Sequence, residues 1–218
     1  GLTVWTPNIN IFTDPRWGRG QETYREDPYL TTVMGRAVVN GLQGPEAEYY
    51  KLHACLKHFA IHSGPDYERH IFDVAEMSWR DLSETYLYAF ERLVKTTDVK
   101  EVMCAYNAYE GKPCCGSDKL LIQILRNQWG YDGLVVTDCW AVRDFHTEGC
   151  HNLYPNDPAS ASALSVRSGA DLECGNSFPA LVEAVQNGIL PEEEIDRALL
   201  RVLKARFELG EMDPQRKV

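Results

Sequence analysis

An α/β fold built on a parallel sheet is predicted by three features of this 218-residue sequence. Short apolar runs rich in β-branched residues alternate with stretches of helical periodicity, the sequence form of βαβ units. The run 134–137, set behind the turn residues Tyr131-Asp132-Gly133, reads as a strand buried on both faces. That strand ends on Asp138, and parallel α/β folds keep their chemistry at the carboxyl ends of strands. Asp is also a leading helix N-cap, so a segment starting at Trp140 offers Asp138 a purely structural role.

Residues 2–8 read as the first strand, closed by Pro7 and followed by a long polar connection through Arg16, Trp17 and Arg19 to Pro28. So much loop in a compact domain is usually functional. Residues 30–42 carry helical spacing and stop at Gly44-Pro45. Residues 53–60 form the second strand. Ser78 caps a helix over 79–95 with Leu82, Tyr86, Ala89, Phe90 and Leu93 on one side. Residues 101–107 give the third strand, Ser117-Asp118 cap a helix running to Trp129, and 134–137 give the fourth. A helix over 158–168 and a short fifth strand at Ala170-Asp171-Leu172 follow. Helices over 178–187 and 192–209 close the chain, the latter with Pro191 at its first position and acidic residues in its first turn. A closed (β/α)₈ barrel needs about three more such units. Gly1 opens directly into a strand-like segment, so the reading is a partial barrel spanning 1–218 that lacks its first units. An open doubly wound sheet is the runner-up, disfavoured because no Gly-rich phosphate loop follows a strand.

A formal charge of -10 argues against a nucleic-acid partner, which needs a basic face. No apolar run approaches bilayer length, and the first residues lack a signal-peptide pattern. The seven cysteines show no C-x-x-C spacing, so a disulfide framework is not expected. Cys55 and Cys104 read as buried small hydrophobes. Cys114, Cys115 and Cys150 lie in loop-like stretches that admit one bridge.

The strand ends deliver Trp5 and the Arg16/Arg19 loop, then Lys57-His58, Met103 with Tyr106-Asn107, Asp138, and Glu173. Taken singly, Lys57 reads equally as a solvated charge, His58 as a core histidine, Tyr106 as a core aromatic and Arg19 as a surface ion pair. Together they form a charged, aromatic-walled ring around one carboxylate, which suits a sugar. A metal at His53, His58 and His62 is disfavoured. The i, i+4 pair His58/His62 leaves a strand, where that spacing does not put two imidazoles on one face.

Asn8-x-Asn10, Asp14-Pro15-Arg16-Trp17-Gly18-Arg19-Gly20-Gln21-Glu22 with Glu26-Asp27-Pro28-Tyr29-Leu30, Lys57-His58-Phe59, 102–107 and Val135-Val136-Thr137-Asp138 resemble the ordered motifs of glycoside hydrolase family 3. The resemblance implies a (β/α)₈-type N-terminal domain of a retaining, exo-acting β-glycosidase with Asp138 as nucleophile. It implies that Arg19, Lys57, His58 and Tyr106 hold sugar hydroxyls and that Met103 lines the wall. Gly18 to Thr23 and His62-Ser63-Gly64-Pro65 with Arg69-x-x-Phe72-Asp73 resemble the β-xylosidase branch, which adds Trp5 and Arg69 as sugar contacts. A β-glucosidase of the same family and a non-catalytic carbohydrate-binding fragment are the alternatives. No cofactor is implied, and the family suggests a secreted or periplasmic protein. Two departures stand out. Cys139 occupies the position after the nucleophile where many members carry Trp. The acid/base glutamate comes, in most members, from a following domain that this chain does not contain. Among the chain's own carboxylates Glu173 is the best substitute, while Glu22 and Asp27 fit better as loop-ordering partners.

Overall fold

The computed structural model describes residues 2–46 and 50–213, so the expected 1–218 span runs a few residues beyond the described ones. In chain order the strands are β1 (Thr3–Val4), β2 (His53–Phe59), β3 (Asp73–Val74), β4 (Glu101–Cys104), β5 (Ala108–Tyr109), β6 (Lys112–Pro113) and β7 (Leu134–Thr137). The α-helices are α1 (Pro28–Gln43), α2 (Trp79–Asp81), α3 (Tyr88–Thr96), α4 (Pro158–Arg167), α5 (Leu181–Gln186) and α6 (Glu192–Glu208). The main sheet is parallel in the order β1-β2-β4-β7. The expected fifth strand is reduced to one parallel bridge, Val136 with Leu172, beside β7.

Register decides what the sheet presents. Cys104 pairs with Thr137 and Phe59 with Cys104, so His58, Ala105 and Asp138 emerge from one end of three neighbouring strands. On the helix side Phe59 packs against Phe90 and Trp129, at ring separations of 5.1 and 5.7 Å. Cys55, Met103 and Val136 form a separate buried cluster.

Helix starts follow their caps. Asp27 accepts from the Leu30 N–H and Ser78 from the Asp81 N–H, satisfying amides that a helix leaves unpaired at its first turn. The helix expected over 79–95 is interrupted by a wide π turn at Leu82–Tyr86, and Lys119–Gln128 is also π-helical. The first keeps its expected apolar face inward, with Leu82, Ala89, Phe90 and Leu93 buried and Tyr86 half-buried. Pro191 is the N-cap of α6, one position ahead of the expected site. Buried Gln43 accepts from the Ala54 and Lys100 amides and donates to the Asp98 carbonyl, tying α1 to the starts of β2 and β4. At the same end, buried Asp171 receives Arg126, Arg201 and the Val135 N–H.

Two expectations are overturned. Cysteines do form bridges: Cys104 with Cys115, and Cys139 with Cys174. Cys104 ends β4 beside the turn that holds Cys115, and Cys139 leaves β7 beside the segment that follows Leu172, so adjacency in the fold pairs residues that spacing did not. Second, the third strand expected over 101–107 ends at Cys104, and β3, β5 and β6, to which no element was assigned, make a small separate sheet, because strands of two residues have no readable period.

Candidate active site

β7 delivers Asp138, 8% exposed, to the mouth. Its Oδ1 accepts from the Cys139 N–H at 2.8 Å, while its Oδ2 has no hydrogen-bond partner among the described residues. Burial raises its pKa; the Cys139 amide, the charges of Arg19 and Lys57 and the nearby Tyr106 hydroxyl oppose that rise. An N-cap aspartate would accept from an amide two or three residues on. Here only the adjacent amide is engaged, which leaves the second oxygen aimed into the site.

β2 delivers Lys57 and His58. His58 Nε2 stands 3.5 Å from Asp138 Oδ2 and 3.2 Å from Arg19 Nη2. Its Nδ1 meets Asn10 Oδ1 at 3.0 Å. Burial, with the neighbouring His62, Arg19 and Lys57, pushes its pKa well down, so the imidazole is neutral. Lys57 Nζ is 3.7 Å from Glu22 Oε2.

Arg19 comes from the long loop after β1. Its guanidinium binds Glu22 through Nε and Nη2, at 2.8 and 3.0 Å, and reaches His62 Nε2 through Nη1 at 3.1 Å. Burial works against its charge, but the Glu22 hydrogen bond and charge outweigh that and raise its pKa. The loop that carries it is pinned where Gly20 passes Phe12: a Cβ there would lie 2.2 Å from the ring.

β4 leads to Tyr106, whose hydroxyl donates to the Cys139 carbonyl at 2.6 Å. Arg69 lies 5.6 Å over the Tyr106 ring and is held by Asp66. His70 meets the same ring edge-on at 4.9 Å and bonds the wholly buried Asp144 at 2.6 Å. Trp5 follows β1 and is 41% exposed.

Contacts therefore join Arg19, Lys57, His58, Tyr106, Arg69 and Asp138 into one constellation, while Trp5 is related to it only through its place at the end of β1. Met103, expected on the wall, is 1% exposed among Cys55 and Val136. It pairs in register with Val136, two residues before Asp138, and so builds the floor beneath the carboxylate. The geometric objection to His58 and His62 sharing a face is also corrected. The chain turns after Phe59, and the two rings lie 4.6 Å apart. A guanidinium occupies the space between their Nε2 atoms, and no metal-holding cluster occurs among the described residues.

Sequence reasoning gave no role to Asn10, His70 or Asp144, put Asn107 at a strand end without a task, and met His62 only in a disfavoured metal set and a branch motif. The one signal available was polar residues inside otherwise apolar stretches, as at Asn10 and Asn107. Of the alternative carboxylates, Glu173 accepts from the Ser177 and Phe178 amides through both oxygens. Asp27 caps α1, and Glu22 serves Arg19, Asn8 and Lys57.

The family model described as the glycosyl hydrolase family 3 N-terminal domain matches residues 2–205. A xylan 1,4-β-xylosidase of Xylanibacter ruminicola is 55% identical over 215 residues, covering 97% of this chain and 25% of the relative. A solved family 3 exo-β-xylosidase, in complex with a xylobiose aziridine activity-based probe, superposes with a TM-score of 0.90 at 34% identity, covering 98% of this chain and 28% of the other. A β-glucosidase of Listeria innocua in complex with glucose superposes with a TM-score of 0.86 at 31% identity, covering 99% and 30%. The chain thus spans roughly a quarter to a third of the length of these relatives. With a parallel α/β sheet, a strand-end carboxylate and a family match over nearly its whole length, this chain belongs to glycosyl hydrolase family 3, as its N-terminal domain.

Proposed function

We propose that the protein carrying this chain is a retaining, exo-acting β-glycosidase that releases terminal sugars from oligosaccharides, with xylose as its preferred sugar and Asp138 as its nucleophile. The observation that carries the reading is the bare Oδ2 of Asp138, buried at the end of β7 beside His58. A buried carboxylate oxygen with no hydrogen bond from the described residues is a good nucleophile and a good stabiliser of positive charge at an anomeric carbon. Attack forms a glycosyl–enzyme ester on Asp138, and water resolves it. A partner carboxyl about 5 Å away acts as acid and then base, and we assign it to the part of the protein outside these residues. Arg19 and Lys57 hold hydroxyls through charged hydrogen bonds that strengthen as the oxocarbenium-like state develops. Neutral His58 contributes a further polar contact, while Tyr106, Arg69 and Trp5 complete the walls. We read the sheet β1-β2-β4-β7 with its Leu172 bridge as part of a (β/α)₈ barrel.

The preference for xylose rests on the 55% identity to a named xylosidase; the Listeria likeness keeps glucose as the second reading. In the full protein, an activated fluoro-sugar should label the peptide containing Asp138 and no other, and Asp138→Asn should remove nearly all turnover of aryl β-xyloside. Retained turnover would remove Asp138 from the role. Higher kcat/KM on aryl β-glucoside would replace xylose with glucose. Sugar binding with no turnover by the wild-type protein would leave a carbohydrate-binding module.

A further inference from the structure

We infer that His62 is a positioning residue for Arg19: it fixes the guanidinium so that one N–H is left pointing into the sugar subsite. The inference rests on the glycosidase reading above and on a donor count. Arg19 has five N–H hydrogens. The Nε hydrogen goes to Glu22 Oε1, and the two on Nη2 go to Glu22 Oε2 and His58 Nε2. One on Nη1 goes to His62 Nε2 at 3.1 Å. Among the described residues the other Nη1 hydrogen has no acceptor, and its direction follows the guanidinium plane, which His62 holds at Nη1 together with Glu22 and His58 on the other side.

For this to work His62 must accept through Nε2, so its proton must sit on Nδ1. The neighbouring asparagine enforces that. Asn107 Nδ2 donates to the Ala60 and Ala108 carbonyls, each at 3.2 Å, which turns Asn107 Oδ1 toward His62 Nδ1 at 3.3 Å. An amide oxygen only accepts, so Nδ1 carries the hydrogen. Asn10 repeats the arrangement on the other side. Its Nδ2 donates to the His58 carbonyl, its Oδ1 faces His58 Nδ1, and His58 Nε2 is left to accept. The guanidinium therefore sits between two neutral imidazoles, each locked in one tautomer by a buried asparagine. Burial and the Arg19 charge keep His62 neutral, with its pKa lowered to about 3. Trp17 meets the His62 ring edge-on at 6.2 Å and limits its rotation.

In the full protein His62→Phe keeps a flat ring and removes the acceptor, while His62→Gln returns an acceptor near Nε2. We expect His62→Phe to lower kcat/KM on aryl β-xyloside roughly 10- to 100-fold, the size of one lost hydrogen bond to a charged group, and His62→Gln to recover most of that. We expect the double variant Arg19→Ala/His62→Phe to be no worse than Arg19→Ala alone, since a residue acting only through Arg19 has nothing left to lose. Multiplicative losses, or equal losses in the Phe and Gln variants, would overturn the assignment. Neutron diffraction of the wild-type protein gives a test that needs no variant: hydrogen on His62 Nδ1 alone is expected, and hydrogen on Nε2 overturns it. An active wild type with an inactive Asp138→Asn and an unimpaired His62→Phe would sink this inference while leaving the glycosidase reading intact. An active Asp138→Asn would remove Asp138 from the nucleophile's role, and a wild type without turnover would sink the glycosidase reading instead.

Discussion

His58 Nε2 and Asp138 Oδ2 stand 3.5 Å apart, and neither can donate to the other. His58 carries its hydrogen on Nδ1, toward Asn10, and presents a lone pair to a carboxylate oxygen that has no donor among the described residues. Two acceptors face each other in a buried site, and the positive charge of Arg19, bonded to His58, compensates for both. Such an arrangement costs stability and leaves the oxygen reactive, the usual trade at a catalytic position.

That trade has a pH signature. Burial raises the Asp138 pKa in the folded protein, so its contribution to stability is fully present below the unfolded carboxylate value of 3.8 and is lost as pH rises through the folded value. At neutral pH Asp138→Asn should therefore be more stable than wild type by about 1–3 kcal/mol, the scale of an unsatisfied buried polar group. The gap should shrink as pH falls into the ordinary carboxylate range, where both side chains are neutral. Calorimetry at several pH values checks this, and a less stable Asn variant at pH 7 would show that Oδ2 is satisfied in the folded protein.

Removing the charged or polar hands of the site should act on catalysis. Alanine at Arg19, Lys57 or His58 should lower kcat/KM by about 2–4 kcal/mol in transition-state stabilisation. Arg19→Ala should be the most damaging, because it also strands Glu22, His58 and His62. Steady-state kinetics on aryl β-xyloside decides. No change at any of the three would return them to solvated or core roles.

What the sequence made legible has a physical pattern. β7 was readable to the residue, because a β-branched apolar run between a Gly turn and a carboxylate has few other conformations. Asp138 followed from it, since strand polarity alone puts that carboxylate at the mouth. His62 was legible as a residue but not as a part of the site. Its ring reaches Arg19 only because the chain turns after Phe59, and one-dimensional spacing cannot carry that turn. Met103 was expected on the wall only through the family resemblance, and its depth beside Cys55 and Val136 depends on how neighbouring strands pack, which the residues of β4 alone do not carry. The Cys139–Cys174 bridge joins residues 35 apart, a pairing set by which strands become neighbours.

The cysteines give a direct count. Two bridges leave Cys55, Cys114 and Cys150 as thiols, so titration of this chain under denaturing conditions should find three thiols before reduction and seven after it. Cys139→Ser/Cys174→Ser should cost roughly 2–4 kcal/mol of stability, as expected for a cross-link closing a loop of this length. It should also lower kcat, because Cys139 adjoins the proposed nucleophile and its amide holds Asp138 Oδ1. Seven thiols without reductant would show the bridges to be absent.

The 218 residues alone should not turn over glycosides, although they contain Asp138, the nucleophile proposed above. Retention needs a second carboxyl close to the first, and its proton transfer contributes roughly 10²- to 10⁴-fold. Each internal alternative is engaged elsewhere. Glu173 spends both oxygens on the Ser177 and Phe178 amides, and Asp27 holds the first turn of α1. Glu22 is tied to Arg19, whose hydrogen bond keeps its pKa below the usual carboxylate value, so it is ionised and cannot serve as the acid. Asp144 is wholly buried against His70. The isolated chain, shown to be folded by circular dichroism, should be assayed on aryl β-xyloside and β-glucoside beside the full protein and an Asp138→Asn control. Turnover that disappears in Asp138→Asn and again in Glu173→Gln would mean that Glu173 leaves its amides to act as the acid, and that the second carboxyl lies inside these residues.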